Sequence, residues 1–278
     1  MSPLAAPAAL AGLTPISLAE LDARAELRQR VDRKYVVPTS LVERMLDAVG
    51  PSHAVLEIDG ARSFAYGSSY FDTEELDTYR AHVQGRRRRF KVRTRRYLES
   101  GLCMFEVKLK GLRGETIKLR EQRDPDDHGV FDDAARAFLD ACLDRHYGIE
   151  LREPFHPTVD IGYRRITLAA LDACERVTID LDLDIALEGL RAARMKPAFA
   201  IVESKSTRGG GGVDRLLRGL GARAVGCSKY CLGVALTRSG VPANDFRWLA
   251  RRYFEPVGDH ALVPAMSQGD PVDALLAA

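Results

Sequence analysis

Eight of the thirteen residues from Gly85 to Tyr97 are Arg or Lys and none is acidic, although the whole chain carries a formal net charge of only +2. Arg87, Arg89, Lys91, Arg93 and Arg95 fall on one set of alternate positions, and Phe90, Val92 and Thr94 on the other. A period of two belongs to a strand, so these cations would stand on one face of it. Like charges in such a row repel one another unless an anion lies over them. Guanidinium forks meet phosphate oxygens in two-point contacts, and a polyphosphate-like ligand suits the row.

Other segments repeat the pattern. Glu106, Lys108 and Lys110 alternate with Phe105, Val107 and Leu109, and Thr116, Lys118 and Arg120 alternate with Glu115, Ile117 and Leu119. Arg176, Thr178, Asp180 and Asp182 alternate with Val177, Ile179, Leu181 and Leu183, while Glu203 and Lys205 lie two apart. A flat antiparallel sheet with one solvated face would explain any one of these. Together they favour an α+β fold in which a closed antiparallel barrel turns its charged faces inward and its apolar faces toward flanking helices.

The elements that must position these side chains follow from local signals. Arg30–Val37 reads as a strand closed by Pro38, with Thr39 or Ser40 capping a helix through Ala48. A short strand at Ser68–Asp72 and a helix at Glu74–His82 precede the basic strand at 86–97. Gly101, Gly111 and Gly114 mark the turns around strands at Cys103–Leu109 and Glu115–Arg120. Asp132–Tyr147 has helical spacing, with Ala135, Leu139 and Leu143 on one face. Strands follow at Thr158–Leu168, Glu175–Leu183 and Phe199–Ser204, then a helix at Val213–Leu220 and a last strand near Tyr230–Leu236. Gly209–Gly212 lacks the Lys-Ser/Thr of a phosphate-binding loop and reads as a connector. Residues 1–20 read as a flexible leader, 21–240 as one domain and 241–278 as a tail.

Composition narrows the classes. No basic residue precedes Arg24, so the start lacks the positive region of a secretory signal. No stretch approaches the roughly 18 apolar residues of a membrane span. The five cysteines, Cys103, Cys142, Cys174, Cys227 and Cys231, are odd in number and form no CxxC pair. They read as small hydrophobes of a reducing, cytoplasmic compartment. The histidines show no ligand spacing. A nucleic-acid partner is disfavoured, because the basic strand is interleaved with Val and Thr rather than stacking aromatics, and neighbouring strands carry carboxylates.

Eight short motifs then appear in a telling order: Val31-Asp-Arg-Lys-Tyr35, Ser69-Tyr-Phe-Asp-Thr73, Lys91-Val-Arg-Thr-Arg95, Phe105-Glu-Val-Lys108, Tyr163-Arg-Arg165, Arg176-Val-Thr-Ile-Asp180, Val202-Glu-Ser-Lys205 and Ser228-Lys-Tyr230. The series, over roughly residues 27–236, resembles the VTC domain, the polyphosphate-polymerase member of the triphosphate tunnel metalloenzymes, also called CYTH-like. The resemblance implies an eight-stranded antiparallel tunnel that binds a triphosphate with a divalent metal, Mn2+ or Mg2+. It implies a catalytic group of Arg93, Arg95, Lys108, Arg165 and Arg176. Lys34, Lys91, Lys205, Ser228 and Lys229 would hold substrate and product, and Glu203, with Glu106 behind it, would hold the metal. The wider family opens on Glu-x-Glu-x-Lys. Here those positions are Arg30, Asp32 and Lys34, a departure toward the more cationic polymerase branch.

The activity implied is transfer of the ATP γ-phosphate to a growing polyphosphate chain with release of ADP. A triphosphatase using water as nucleophile and a non-catalytic polyphosphate-binding module are the alternatives. With no membrane segment of its own, the protein would need a separate membrane partner to export a polymer. Two residue readings stay open or bland. Glu106, Asp180 and Asp182 suit structural counter-charges as well as metal ligands. Arg86 and Arg88 point away from the tunnel and read as solvated.

Overall fold

In the computed structural model, which describes residues 7–24, 31–111, 115–207, 210–226 and 228–257, alternating apolar and polar side chains build one twelve-stranded sheet. Its strands are β1 (Thr14–Ile16), β2 (Val31–Pro38), β3 (His53–Leu56), β4 (Phe64–Asp72), β5 (Phe90–Tyr97), β6 (Cys103–Lys110), β7 (Thr116–Arg123), β8 (His156–Ala170), β9 (Glu175–Leu187), β10 (Leu190–Met195), β11 (Phe199–Ser206) and β12 (Phe254–Pro256). The helices are α1 (Leu18–Arg24), α2 (Thr39–Val49), α3 (Asp77–Val83), α4 (Asp133–Tyr147), α5 (Gly212–Gly219), α6 (Lys229–Thr237) and α7 (Asn244–Tyr253).

The spine of the sheet runs β2-β11-β9-β8-β4-β5-β6-β7, every neighbour antiparallel. β3 branches from β8 and carries β1 in parallel, while β10 branches from β9 and carries β12. The expected closed eight-stranded barrel is corrected here: among the described residues β2 and β7, the two ends of the spine, do not pair. The sheet still curls far enough for Lys108 Nζ of β6 to reach Asp32 Oδ2 of β2 at 4.0 Å. Side chains meet across a gap that no ladder spans.

The expected last strand at Tyr230–Leu236 is instead α6. Every residue from Tyr230 to Leu236 is buried, and a short run apolar on all sides fits a buried strand or a buried helix equally well. Ser228 starts the helix, its Oγ accepting from the Cys231 N–H at 3.3 Å. A smaller correction concerns α2. Pro38 occupies its cap position, and the Thr39 N–H donates to the Ala198 carbonyl at 2.9 Å, so neither Thr39 nor Ser40 serves as the cap. The basic strand begins at Phe90, which leaves Arg86–Arg89 in the preceding turn.

Helices cover the outer, apolar face. Val92, Phe105, Val107 and Leu109 of β5 and β6 pack with Leu139 and Leu143 of α4, which Asp132 caps by accepting from the Ala135 N–H at 2.8 Å. Tyr35, Val37, Ile179 and Val202 pack with Val42, Leu46 and Leu217 of α2 and α5. Before β2, Leu10 and Leu13 join that second cluster; after residue 240, Phe246 and Leu249 of α7 pack with α6.

The inner face changes character along the strands. On β2 it passes from Asp32 and Lys34 to buried Val36, on β11 from Lys205 and Glu203 to Ile201, and on β8 from Arg165 to Ile161 and Val159. α6 packs on this apolar end, and Gly233 lets it approach: a Cβ there would lie 3.0 Å from Val159 Cγ2 and 3.3 Å from Ile161 Cδ1. β9 makes the same change through a bulge, with the register shifting opposite Gly162 and Arg164 and Asp182 taking φ +52°. The extra residue turns both Asp180 and Leu183 inward, which strict alternation would forbid.

Candidate functional site

The polar stretch of the inner face is a lumen walled by β2, β11, β9, β8, β4, β5, β6 and β7. Strand register sets its rows. Lys34 lies opposite Glu203, Asp180 opposite Arg165, Tyr70 opposite Arg93, and Arg93 opposite Glu106. Lys34 Nζ is 3.1 Å from Glu203 Oε1, and Lys205 Nζ is 3.5 Å from Glu203 Oε2. Arg165 meets Asp180 through two bonds, 2.6 and 2.9 Å, and Lys229 of α6 donates to the same carboxylate. Arg93 donates to Glu106 at 2.7 Å and to the Tyr70 hydroxyl at 2.7 Å, while Lys118 of β7 holds the other Glu106 oxygen.

These pairings fix the carboxylates as anions. Burial alone would raise Glu106, yet Arg93, Arg95 and Lys118 hold it well below the usual carboxylate range. Burial is likewise outweighed at Glu203 by Lys205, Lys34, Lys108 and Lys229, and at Asp180 by Arg165 and Lys229. The lysines move the other way. Burial, opposed by Glu203 and reinforced by Lys34, pushes Lys108 down to about 7; burial pushes Lys118 down to about 8 despite Glu106. The Lys108 side chain is nonetheless 43% exposed, because its ammonium stands in the lumen while protein crowds its stem. Burial also lowers Lys91, with Lys34 and Arg93 adding to the shift.

Cations therefore outnumber carboxylates: Lys34, Lys91, Arg93, Arg95, Lys108, Lys118, Arg165, Lys205 and Lys229 face Asp32, Glu106, Asp180 and Glu203. Two of them make no ion pair among the described residues. Lys91 is one. The other is Arg95, only 7% exposed, whose Nε lies 3.4 Å from Ser68 Oγ. A buried guanidinium without a counter-ion is costly unless a ligand supplies one. Beside Lys34 the lumen opens into a cleft of about 540 Å³ lined by Asp32, His82, Arg89, Ser228 and Cys231.

The structure gathers most of the anticipated residues. Lys34, Lys91, Arg93, Arg95, Lys108, Arg165, Lys205, Lys229, Glu106 and Glu203 all face the lumen. Lys229 does so from the first turn of α6 rather than from a closing strand, and Ser228 lines the cleft while capping that helix. Arg176 shares the inner face, but its guanidinium turns to α1, 2.9 Å from Asp22 Oδ1. Arg86 and Arg88 line a separate outer cavity of about 390 Å³ with Glu150 and Glu153. Cys103, Cys142 and Cys231 are buried and Cys174 is exposed. Arg30, Gly114, Gly209, Cys227, His260 and the end of the tail from residue 258 lie outside the described residues. Sequence reasoning put Lys118 on a charged strand face without giving it a role, and missed the lumen tyrosines Tyr66, Tyr70 and Tyr163. Tyr66, Ser68 and Tyr70 do alternate, but aromatics at strand spacing read as ordinary core.

The sequence profile of the VTC domain matches residues 29–238, most of the chain and every strand that walls the lumen. The chain belongs to the VTC domain family. No curated protein sequence matches this VTC domain. Its fold is similar to that of a putative adenylyl cyclase from Hippeastrum, described as having a dominant triphosphatase activity (16% identity over 74% of this chain and 95% of that one, TM-score 0.48). It is also similar to putative adenylate cyclases from Bacillus halodurans (12%, 72% and 94%, TM-score 0.44) and Vibrio parahaemolyticus (13%, 74% and 98%, TM-score 0.43). Likenesses this distant carry no part of the functional reading.

Proposed function

We propose that this VTC domain transfers the γ-phosphate of ATP onto a growing polyphosphate chain and releases ADP, with a divalent metal, inside the cationic lumen. The observation that carries the reading is the surplus of lumen cations, with Arg95 and Lys91 making no ion pair among the described residues. Phosphoryl transfer needs the phosphates positioned and their charge neutralised, and little covalent help from protein. In the step itself, a terminal oxygen of the chain bonds to the γ-phosphorus. The bond from that phosphorus to the bridging oxygen breaks, and ADP leaves with the electron pair. Arg93, Arg95, Arg165 and Lys108 hold the reacting phosphates, while Lys34, Lys205 and Lys229 hold the flanking ones.

The state of the carboxylates favours a polymer end over water as nucleophile. Glu106, Asp180 and Glu203 are each clamped by cations with depressed pKa values, and such carboxylates are weak general bases for activating water. A phosphate oxygen is already anionic and needs no base.

Among the described residues no group of three His, Cys, Asp or Glu side chains is arranged to hold a metal ion. An ion of the magnesium type takes one or two carboxylates and completes its shell with phosphate oxygens and water, and the lumen offers Asp32 and Glu203 on paired strands. Glu203, ionised and turned to the lumen, would hold it in exchange for its contacts with Lys34 and Lys205, with Asp32 on the neighbouring strand; Glu106, held by Arg93 and Lys118, would have to make the same exchange. Bound there, Mn2+ or Mg2+ would neutralise charge on the phosphates.

Purified protein incubated with ATP and Mn2+ or Mg2+ should yield ADP and acid-labile polymer, seen as internal phosphates by 31P NMR. Orthophosphate without polymer would replace the reading with a triphosphatase. Binding of polyphosphate with no turnover under either metal would leave a binding module. No described helix is long and apolar enough to cross a membrane. We place the reaction in the cytoplasm, with a separate membrane partner as the candidate for exporting the polymer.

A further inference from the structure

The three lumen arginines that face one another across β5 and β8 are held in two different ways. Arg93 is gripped by Glu106 and Arg165 by Asp180, so each has a formal counter-charge. Arg95 makes no close ion pair among the described residues, and Glu106 acts on it only at longer range. Its guanidinium carbon instead lies 5.5 Å from the ring centre of Tyr66 and 6.0 Å from that of Tyr163. Those rings are direct cross-strand partners on β4 and β8, with centroids 5.4 Å apart and planes within 2° of parallel. Arg165 shares the platform at 5.4 and 5.1 Å, and Lys229 Nζ lies 5.0 Å from Tyr163. Tyr97, opposite Tyr66 on β5, buttresses the stack at 5.0 Å.

The two grips differ in what they leave for a ligand. A carboxylate fixes a guanidinium and cancels its charge. An aromatic face fixes it through the ring quadrupole, which carries no net charge, so the cation keeps its full attraction for an anion. Burial pushes the Tyr66 hydroxyl up to about 12, so the ring stays neutral even amid arginines. A flexible arginine would have to be ordered when ligand arrives; one already laid against a ring avoids that cost.

We propose that Tyr66, stacked on Tyr163, is a positioning residue that holds Arg95 out of any close ion pair and aimed into the lumen for the phosphate chain. The inference rests on the reading of the lumen as a triphosphate site. It assigns Tyr66 a task in anion recognition, through Arg95, that a core aromatic would not have.

The test is the affinity of the full chain for inorganic tripolyphosphate, by titration calorimetry in Mg2+ buffer. Tyr66→Phe should bind within about twofold of wild type, since the quadrupole survives. Trifluorophenylalanine at position 66 keeps the ring's shape but removes the negative face, and should weaken binding by about tenfold, the cost of ordering a freed arginine when the ligand arrives. Tyr66→Leu should do the same where it folds. In an Arg95→Gln background the loss from either change should shrink to the part that acts through Arg165, which shares the ring. Equal affinity for the phenylalanine and trifluorophenylalanine proteins would overturn the proposal, as would an undiminished loss in the Arg95→Gln background. A wild-type protein that fails to bind tripolyphosphate would remove the functional reading itself, a result distinct from either.

Discussion

At the scale of single residues, the lumen sorts its cations by what already neutralises them. Arg93 has Glu106 and Arg165 has Asp180, whereas Arg95 has no carboxylate within ion-pair reach and meets Glu106 only at longer range. Arg95→Gln should therefore cost more tripolyphosphate affinity than Arg93→Gln, by roughly tenfold or more, the size of a charge-assisted bond. Calorimetric titration of both variants checks the order. Lys108 adds a pH dependence. Its pKa is about 7 in the free protein, and a bound polyanion must raise it, so binding takes up protons near neutrality. Affinity should fall as pH rises from 7 toward 9, and calorimetry in buffers of different ionisation enthalpy should register the uptake. The basic alternation of Lys91, Arg93 and Arg95 was legible in the sequence. The division of labour was not, because it depends on which carboxylate each arginine meets across strands distant in the chain.

At the scale of elements, α6 and the β9 bulge do the placing. Gly233 allows α6 to sit on Val159 and Ile161, and that seat puts Lys229 against Asp180. Gly233→Leu should lift the helix, cost about 1–3 kcal/mol in chemical denaturation by overpacking, and weaken tripolyphosphate binding through Lys229. Asp180→Asn leaves Arg165 and Lys229 without their shared anion and should cost about 3 kcal/mol. Tripolyphosphate should then raise the melting temperature of Asp180→Asn more than that of wild type, because it restores the missing charge. An equal rise in both would contradict this. The strands of the lumen were readable because their period is simple. The run from Tyr230 to Leu236 was not, since a segment buried on every side carries no period to read. The inward turn of both Asp180 and Leu183 was hidden too, because a bulge breaks the alternation that announces a strand.

At the scale of the whole molecule, an almost neutral chain sets nine of its 41 Lys and Arg residues against four carboxylates in one lumen. Glu106, Asp180 and Glu203 there have folded pKa values below those of the unfolded chain, about 4. The unfolded state thus binds more protons in that window. Stability from these groups is complete above about pH 4 and is lost as pH falls further. Thermal melts from pH 7 to pH 3 should show a steep fall below 4; a flat profile would mean the lumen pairs contribute nothing. The inward-charged sheet with helices outside was foreseeable from the alternation. Its open seam between β2 and β7 was not, because pairing between the two ends of a sheet leaves no mark on either strand's own pattern. The most direct test of the central claim is a crystal structure with tripolyphosphate and Mn2+. The phosphates should lie in the lumen against Arg95, Lys91 and Arg165, with the manganese anomalous peak beside Glu203. Triphosphate bound on the outer surface, with the lumen holding only water, would contradict it.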